Sequence, residues 1–302
     1  MEQFLSPAEA HGTYDLVVNE VAPQSAMEQV LAREGIAAIE IPLALNDFAR
    51  LSEGYAVCLE ACPDILAQTT GLVDSRFGGD VGHVRKVKKI DPQTGLQVSD
   101  PKNLFHFNER VRESWRERFA HGPQILRNFL ADGFEIQDSL IGVAEREIAR
   151  LESTHPNISH LYFRDRYDNP TSHTFMRLLR YDGYQVTGNL QAVAKPHYDI
   201  GGVTLQAYAD AEGFWGMPDR SAGKVTHFDT REGKGYLFLG KGHEKVYGKT
   251  DALKPLWHGV DRVIPAGVTY VPERTAVILF VDAPAIDYDV TSRDTVPYAF
   301  GK

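Results

Sequence analysis

Cysteine, basic charge and long apolar runs are all scarce in this 302-residue sequence. Its two cysteines, Cys58 and Cys62, are spaced to share one face of a helix. Nothing nearby completes a zinc site, so we expect two packed thiols in a reducing, cytoplasmic location. A formal net charge of −9 argues against sequence-independent nucleic-acid binding, which needs basic surface. No stretch approaches the roughly 20 apolar residues that span a bilayer, so we expect no membrane-spanning segment.

The sequence changes character once, near residue 170. Before this point the spacing of apolar residues is typical of helices, with one short strand predicted at 36–41. The predicted helices cover 26–34, 46–62, 110–130 and 139–151. Asn46 is the expected N-cap of the second helix, and Pro63 is its expected end.

From residue 171 onward, β-branched and aromatic runs alternate with Gly, Pro and Asp turns, which is typical of a sandwich or barrel. The predicted strands are 174–181, 186–194, 202–208, 225–229, 235–239, 256–260, 267–271 and 275–281. About eight strands suit a double-sheet jelly roll. We therefore expect one domain over residues 1–302, mainly β with α. Its jelly-roll (double-stranded β-helix) core at 171–302 is wrapped by a mainly helical part at 1–170.

Three side chains in the second part have the composition of an iron site: His197, Asp199 and His258. Residues two apart in an extended strand point the same way, so His197 and Asp199 can reach one metal ion. His258 must then come from a distant strand that folds back beside them. Two imidazoles and one carboxylate hold ferrous iron on one face and leave the opposite face open. This pattern predicts an oxygen-activating enzyme.

A second His-x-Asp triplet, at residues 227–229, competes with the first one. The first triplet precedes the strand-like run 203–208, whereas the second precedes the polar, glycine-rich segment 230–235. We therefore predict that a sheet fixes the first triplet as a ligand pair, and that the second triplet, which leads into a turn, lies outside the metal site. His106, which lies between two phenylalanines, is expected to be a satisfied core histidine rather than a metal ligand.

Arg274 opens the clearest buried strand of the sequence, the apolar run 275–281. Burying a guanidinium there is costly unless an anion pairs with it. An arginine at a strand mouth can also extend its charge to water. With an iron site present, we favour a carboxylate-bearing cosubstrate that is held by the planar guanidinium.

Asn189 and Gln191 stand two apart on the strand that leads to His197. Because they share a face, they are candidates for hydrogen bonds to a substrate inside the barrel. We expect this substrate to be a small molecule, since the chain is acidic and shows no peptide-binding or nucleic-acid-binding module.

Four segments resemble the Fe(II)- and 2-oxoglutarate-dependent dioxygenases, specifically the isopenicillin N synthase-like branch. The resemblance covers roughly residues 173–282 and is carried by the segments 176–181, 196–205, 257–260 and 273–276. No one of these segments is specific by itself, but their combination is.

The resemblance implies that the three metal-ligand candidates hold Fe(II), which 2-oxoglutarate chelates and which reacts with O2. It also implies that Arg274 and Tyr181 contact the far carboxylate of 2-oxoglutarate. The arginine-x-serine pair of the family is changed here, because Ala276 replaces the serine. Arg274 also lies further from His258 than is usual in the family. Both departures concern the 2-oxoglutarate site and leave the metal site unchanged.

Two other functions stay open at this point. An oxidase on the same scaffold would use iron and oxygen without 2-oxoglutarate. A zinc-type hydrolase or a catalytically silent metal-binding jelly roll would carry out no redox chemistry, although zinc hydrolases more often have imidazole-rich ligand sets. The product is open as well, because hydrogen abstraction from an amino acid or natural-product intermediate leads to hydroxylation, desaturation or cyclisation.

Overall fold

The computed structural model of the protein describes residues 27–74, 79–87, 89–90, 97–99, 101–168, 174–185, 190–217, 225–228, 233–247, 253–263 and 267–282. Within these residues the helices are α1 (Met27–Glu34), α2 (Leu45–Ala61), α3 (Pro63–Ala67), α4 (Glu109–Arg118), α5 (Gln124–Ala149), α6 (Ile158–Asp168) and α7 (Lys241–Tyr247). The strands are β1 (Ile36–Glu40), β2 (Gly71–Asp74), β3 (Gly79–Lys86), β4 (Lys89–Ile90), β5 (Gln97–Ser99), β6 (Lys102–Asn108), β7 (Thr174–Tyr181), β8 (Tyr184–Gln185), β9 (Leu190–His197), β10 (Val203–Ala209), β11 (Phe214–Met217), β12 (Thr226–Phe228), β13 (Lys234–Leu239), β14 (Trp257–Val263), β15 (Tyr270–Val271) and β16 (Arg274–Val281).

Two antiparallel sheets pack face to face. The large sheet has the order β1-β13-β10-β16-β7-β6-β3-β2, and the small sheet has the order β12-β11-β14-β9. Eight strands after residue 173 form the jelly roll, with β7, β10, β13 and β16 in the large sheet and β9, β11, β12 and β14 in the small one, while β8 and β15 pair separately. The prediction of a mainly β fold with a jelly-roll core and N-terminal helices around it is confirmed.

Both faces of the large sheet are buried. On β16, Val277 and Leu279 belong to the cluster that includes the helices, whereas Ala276 and Ile278 belong to the cluster between the sheets. Alternate residues of a strand point to opposite faces, so one face packs on helices and the other on the small sheet. This double burial explains why residues 275–281 form a continuous apolar run. We call the volume between the two sheets, lined on the large sheet by residues such as Ala276 and Ile278, the inter-sheet space.

An aromatic cluster joins α2 and α5 to the large sheet. Tyr55 of α2 stacks on Phe129 of α5 with ring centroids 5.4 Å apart, and Phe105 of β6 meets Phe129 edge-on at 4.8 Å. Phe107 of β6 lies 5.4 Å from the rings of both Phe129 and Phe134. Aromatic pairs in such geometry contribute about 0.5–1.5 kcal/mol each beyond their burial, so this cluster anchors the helical layer.

The large sheet also takes β1, β2, β3 and β6 from the part of the chain that was predicted to be mainly helical. Only β1 was predicted. β6 escapes prediction because its two faces are both buried, with Leu104 and His106 on one side and Phe105 and Phe107 on the other. No alternation of polar and apolar residues therefore marks it as a strand. The short β11 was missed as well, and residues 186–189 of one predicted strand lie outside the described residues.

Helix boundaries differ from prediction at two places. The predicted helix 110–130 is divided between α4 and α5, because Pro123 precedes α5 and a proline cannot continue a helix through its position. The predicted helix 139–151 is the second half of α5. The N-cap assignment of Asn46 is wrong, since Ala44 holds that position and the Asp47 carboxylate accepts a hydrogen bond from its amide at 3.1 Å. As predicted, α2 ends just before Pro63.

Cys58 and Cys62 are buried thiols that form no disulfide. Burial, together with the neighbouring Cys62, raises the pKa of the Cys58 thiol to about 12. A neutral thiol is a poor nucleophile and metal ligand, so the pair serves packing. Among the described residues, no helix combines the length and the apolar character that crossing a membrane requires.

Two glycines of α5 provide a matched test of the packing between this helix and β6. A Cβ atom on Gly133 would lie 2.1 Å from the ring of the buried Phe107, whereas a Cβ atom on Gly142 would meet nothing within 4 Å. We predict that Gly133→Ala lowers the free energy of unfolding by about 1–3 kcal/mol through overpacking. Gly142→Ala should raise it by up to about 1 kcal/mol through helix propensity. Urea unfolding followed by circular dichroism measures both, and equal stability of the two variants would contradict the tight packing described here.

Candidate metal centre

His197, Asp199 and His258 come together at one end of the inter-sheet space. His197 ends β9, and His258, the second residue of β14, lies directly opposite it in the sheet register. The two imidazole rings are 4.5 Å apart between centroids. Asp199 follows two residues after His197, in the loop between β9 and β10. Strand pairing thus joins residues that are 61 positions apart in the sequence.

The three side chains have the spacing of a ligand set. The Nε2 atoms of His197 and His258 lie 3.4 and 3.8 Å from Oδ1 of Asp199. All three potential ligand atoms lie within 4.8 Å of one another, and no other such group of His, Cys, Asp or Glu occurs among the described residues. One ion with bonds of about 2.0–2.2 Å can contact all three after small side-chain rotations. The His197 side chain is 43% exposed, so the site is open on that side.

Neighbouring groups orient the two buried ligand candidates. The Nδ1–H of His258 donates to the carbonyl of Leu256 at 3.1 Å, which leaves the Nε2 lone pair directed at Asp199. The Thr204 hydroxyl donates to Oδ2 of Asp199 at 2.6 Å, which leaves Oδ1 for the imidazoles or an ion. Such partners fix the tautomer and the direction of metal ligands. Phe238 packs edge-on against His258 at 4.8 Å and excludes water from that side.

The protonation states of these groups suit metal binding. Burial by itself raises the pKa of Asp199, but His258, His197 and the Thr204 hydroxyl outweigh it and hold that pKa below its ordinary value. Burial lowers the pKa of His258 to about 4, against the opposing effect of Asp199. At neutral pH the carboxylate is therefore ionised and the buried imidazole is neutral. Metal ions bind these forms.

Backbone hydrogen bonds clamp the loop that carries Asp199. The amides of residues 240–242, at the junction of β13 and α7, donate to the carbonyls of Asp199, Gly201 and Gly202 at 2.8–2.9 Å. The amide of Gly202 donates to the carboxylate of Asp282 at 2.9 Å. A Cβ atom on Gly201 would lie 2.3 Å from that carboxylate, so glycine is required where the loop approaches it. Sequence reasoning missed Thr204 and Asp282, although the position of Thr204 at the start of the strand after Asp199 is a usable signal.

His227 lies in β12, within the predicted strand 225–229. It lies opposite Trp215 of β11 in the small sheet. Burial lowers the pKa of His227. It is not part of the group formed by the three ligand candidates, and Asp229 lies outside the described residues.

Arg274 and Tyr181 lie at the other end of the inter-sheet space. They pair directly across β16 and β7, they are 1% and 7% exposed, and the guanidinium carbon is 5.6 Å from the centre of the tyrosine ring. The Nε of Arg274 donates to the carbonyl of Ala211 at 3.3 Å. Lys102 of β6, which pairs with Tyr181 on its other side, has its ammonium 4.8 Å from the same ring. Two cations therefore flank one aromatic side chain, and sequence reasoning had missed Lys102.

Ala276 shares the inter-sheet face of β16 with Arg274 and brings no hydroxyl to it. The neighbouring Thr275 does not replace the missing serine, since its hydroxyl lies 2.9 Å from that of Ser52 on the helical side. Gln191 lies in β9, opposite Arg262 of β14, while Asn189 lies outside the described residues. Their role in substrate binding stays a prediction.

Neither a protein-family model nor a curated protein sequence matches this chain. Solved structures do match its fold. A full-length Neurospora crassa protein in complex with alpha-KG (2-oxoglutarate) superposes with a TM-score of 0.63 at 15% identity, over 86% of this chain and 79% of that one. Arabidopsis thaliana AtDAO1, a dioxygenase for auxin oxidation bound to 2-oxoglutarate, gives 0.61 at 11% identity, over 89% and 93%. The rice dioxygenase for auxin oxidation gives 0.59 at 17% identity, over 87% and 78%. At these identities the likeness establishes a shared fold, the jelly roll, and nothing further about this chain.

The hydroxyl of Thr204 provides a direct test of the site. We predict that Thr204→Val, which keeps the shape and loses the hydrogen bond to Asp199, weakens metal binding by about 10–100-fold, the usual cost of a lost outer partner. Thr204→Ser should retain most of the affinity. Anaerobic Fe(II) titration of the purified variants measures this, and an unchanged affinity in Thr204→Val would mean that Asp199 needs no such support.

Proposed function

We propose that this protein is a non-haem Fe(II)- and 2-oxoglutarate-dependent oxygenase that acts on a small molecule. The observation that carries the proposal is the ligand geometry. Two imidazoles and one ionised carboxylate converge at one end of the inter-sheet space, and a buried arginine lies at the other. Structural likeness to proteins whose crystals hold 2-oxoglutarate supports it. We further propose that the chain belongs to the isopenicillin N synthase-like branch, on the sequence resemblance alone.

In this proposal His197, Asp199 and His258 hold the metal ion on one face. The donor set fits Fe(II), because two histidines and one carboxylate with open positions form the facial triad of non-haem iron oxygenases. When bound, Fe(II) supplies the oxidation of a substrate C–H bond by O2, coupled to conversion of 2-oxoglutarate into succinate and CO2.

The remaining residues of the site orient 2-oxoglutarate and shield the reacting centre from water. Arg274 donates paired hydrogen bonds to the far carboxylate of 2-oxoglutarate, and Tyr181 and Lys102 add a hydroxyl and a second positive charge at that end. The aromatic rings around His258, among them Phe214 and Phe238, exclude water from the reacting centre.

We propose a small-molecule substrate, an amino acid or a natural-product intermediate, which is hydroxylated, desaturated or cyclised. The acidic net charge of −9 supports this over a nucleic acid. Structures of the same Neurospora crassa protein with thymine and with 5-formyluracil are consistent with small ligands on this fold. We also propose a cytoplasmic location, on the scarcity of cysteine alone.

One alternative has an observation in its favour. Ala276 brings no hydroxyl to the position where the resembled family has a serine for 2-oxoglutarate. An oxidase on this scaffold would use iron and O2 without that cosubstrate. An anaerobic spectrum separates the two, because Fe(II) with bound 2-oxoglutarate gives a weak visible charge-transfer band. With iron loaded and the band missing, the oxidase or a non-redox metal protein becomes the better assignment.

The metal-ligand assignment is tested by alanine substitution. We predict that His197→Ala, Asp199→Ala and His258→Ala each abolish 2-oxoglutarate-dependent succinate formation, because each removes one of three bonds to the ion. Circular dichroism should show that all three variants remain folded. His227→Ala is the control, since His227 lies on a different strand and outside the ligand group. Loss of iron in the His227 variant, with retention in His197→Ala, would reverse the choice between the two triplets.

The 2-oxoglutarate assignment is tested at Arg274. A hydrogen bond to a charged group contributes about 1.5–3 kcal/mol, and about 1.4 kcal/mol corresponds to tenfold in affinity. We therefore predict that Arg274→Leu raises the 2-oxoglutarate concentration needed for the visible band at least about tenfold, while Fe(II) affinity stays unchanged. Arg274→Lys should recover only part of the loss, since a point charge cannot make a two-pronged contact. Unchanged 2-oxoglutarate affinity in Arg274→Leu would place the carboxylate anchor elsewhere.

A further inference from the structure

A second arginine, Arg177 of β7, also faces the inter-sheet space. Met176 and Leu178 pack in the helical cluster, whereas Leu179 and Tyr181 pack between the sheets. Because strand residues alternate between faces, Arg177 points to the same side as Leu179. Its guanidinium carbon accordingly lies 4.8 Å from the ring centre of Phe280.

The Arg177 side chain is held in a defined position. Its Nε donates to Nε2 of His106 on the neighbouring strand β6 at 2.8 Å. An accepting Nε2 requires a neutral imidazole that carries its proton on Nδ1. Phe175 and Phe280 stack on each other at 4.8 Å with an interplanar angle of 19°, and the guanidinium also lies 5.6 Å from the Phe175 ring. His106 is thus a positioning residue for Arg177. The rings of Phe175 and Phe280 form an apolar surface beside the guanidinium group.

Arg177 lies toward the metal end of the space. Phe280 pairs with Thr204, whose hydroxyl donates to Asp199, and Phe280 also pairs with Phe175 on β7. Arg177 is therefore two strands and two residues away from Thr204. With strands about 4.8 Å apart and a rise of about 3.3 Å per residue, the two Cα atoms are separated by about 12 Å. A small molecule next to the metal ligands can span that distance together with the arginine side chain.

Arg274 lies at a different depth. It is six residues from Phe280 along β16, whereas Arg177 pairs with Ile278, only two residues from Phe280. The same face of the large sheet thus presents two guanidinium groups at different positions along the strand direction. Arg274 is the anchor proposed for 2-oxoglutarate, and Arg177 is the nearer of the two to Thr204 and so to the metal end of the space.

We infer that Arg177 recognises a carboxylate on the primary substrate, whose apolar body rests on Phe280 beside the metal ligands. This inference rests on the proposed function for the reaction, but it names a separate subsite. A planar guanidinium matches a carboxylate with two parallel hydrogen bonds. Between two packed sheets such a contact is stronger than in water, because the effective dielectric constant is lower.

The experiment uses three pairs of probes: phenylacetate, indole-3-acetate and hexanoate, each with its primary amide. Binding to the Mn(II)-loaded full chain is measured by titration calorimetry, which requires no turnover and no 2-oxoglutarate. We expect at least one acid to bind at least tenfold more tightly than its amide. Arg177→Met should remove this preference, and Arg177→Lys should restore part of it.

Two controls separate Arg177 from its surroundings. Arg180→Met changes an arginine on the same strand whose side chain lies on the opposite face and pairs with Glu273, so the acid preference should persist. His106→Phe should weaken binding of the acids more than binding of the amides, and His106→Gln, which keeps an acceptor, should rescue it.

The 2-oxoglutarate titration distinguishes this inference from the proposed function. In Fe(II)-loaded Arg177→Met, the visible band should form at the same 2-oxoglutarate concentration as in the unmodified protein. If no band forms in the unmodified protein, the proposed function fails while the calorimetric preference still tests Arg177. If acids and amides bind equally or not at all, or if Arg177→Met shifts the 2-oxoglutarate requirement, the substrate-carboxylate site is wrong.

Discussion

A carboxylate charge buried between two imidazoles is the interaction on which the rest of this structure depends. Asp199 is 9% exposed, and an ionised group at that depth is stable only with close partners. Those partners are the Thr204 hydroxyl of β10 and His197 of β9, while the neutral His258 of β14 directs its Nε2 at the same carboxylate, ready for an ion. The sheet register that pairs β9 with β14 therefore places both imidazoles beside this charge. The geometry of the site depends on this pairing, because a shift of one residue in the register would turn a histidine away from the carboxylate.

The inter-sheet space is organised along its length. Its metal end holds the three ligand candidates, and its remote end holds Arg274 with Tyr181 and Lys102. In our proposals, 2-oxoglutarate and an acidic substrate are both held by an arginine. The protein would therefore distinguish the two ligands by the position of each arginine along the inter-sheet space and not by the type of side chain. The separation between Arg177 and Arg274, which corresponds to four residues along β16, would then determine which anion binds where.

The part of the site that the sequence could predict is local. The His-x-Asp spacing places two side chains on one face, and the apolar run after Arg274 marks a buried strand. The side-chain contacts that could not be predicted depend on the register between strands that are far apart in the sequence. His106 was expected to be a satisfied core histidine, and it is buried, but its partner Arg177 lies 71 residues away. Lys102, which pairs with Tyr181 across β6 and β7, escaped for the same reason. The strand that carries His106 was missed because burial on both faces erases the alternation by which strands are recognised.

The position of β16 has a consequence for how the chain reaches this fold. β16 follows every other described element in the sequence, yet it lies in the middle of the large sheet, between β10 and β7. Until it is synthesised, the sheet exists as two halves, β1-β13-β10 and β7-β6-β3-β2, each with an exposed edge of unpaired backbone groups. Such non-local closure is slow. A nascent chain of this protein therefore carries two open edges and all three metal-ligand candidates before its central strand arrives, and at that stage it is most exposed to aggregation.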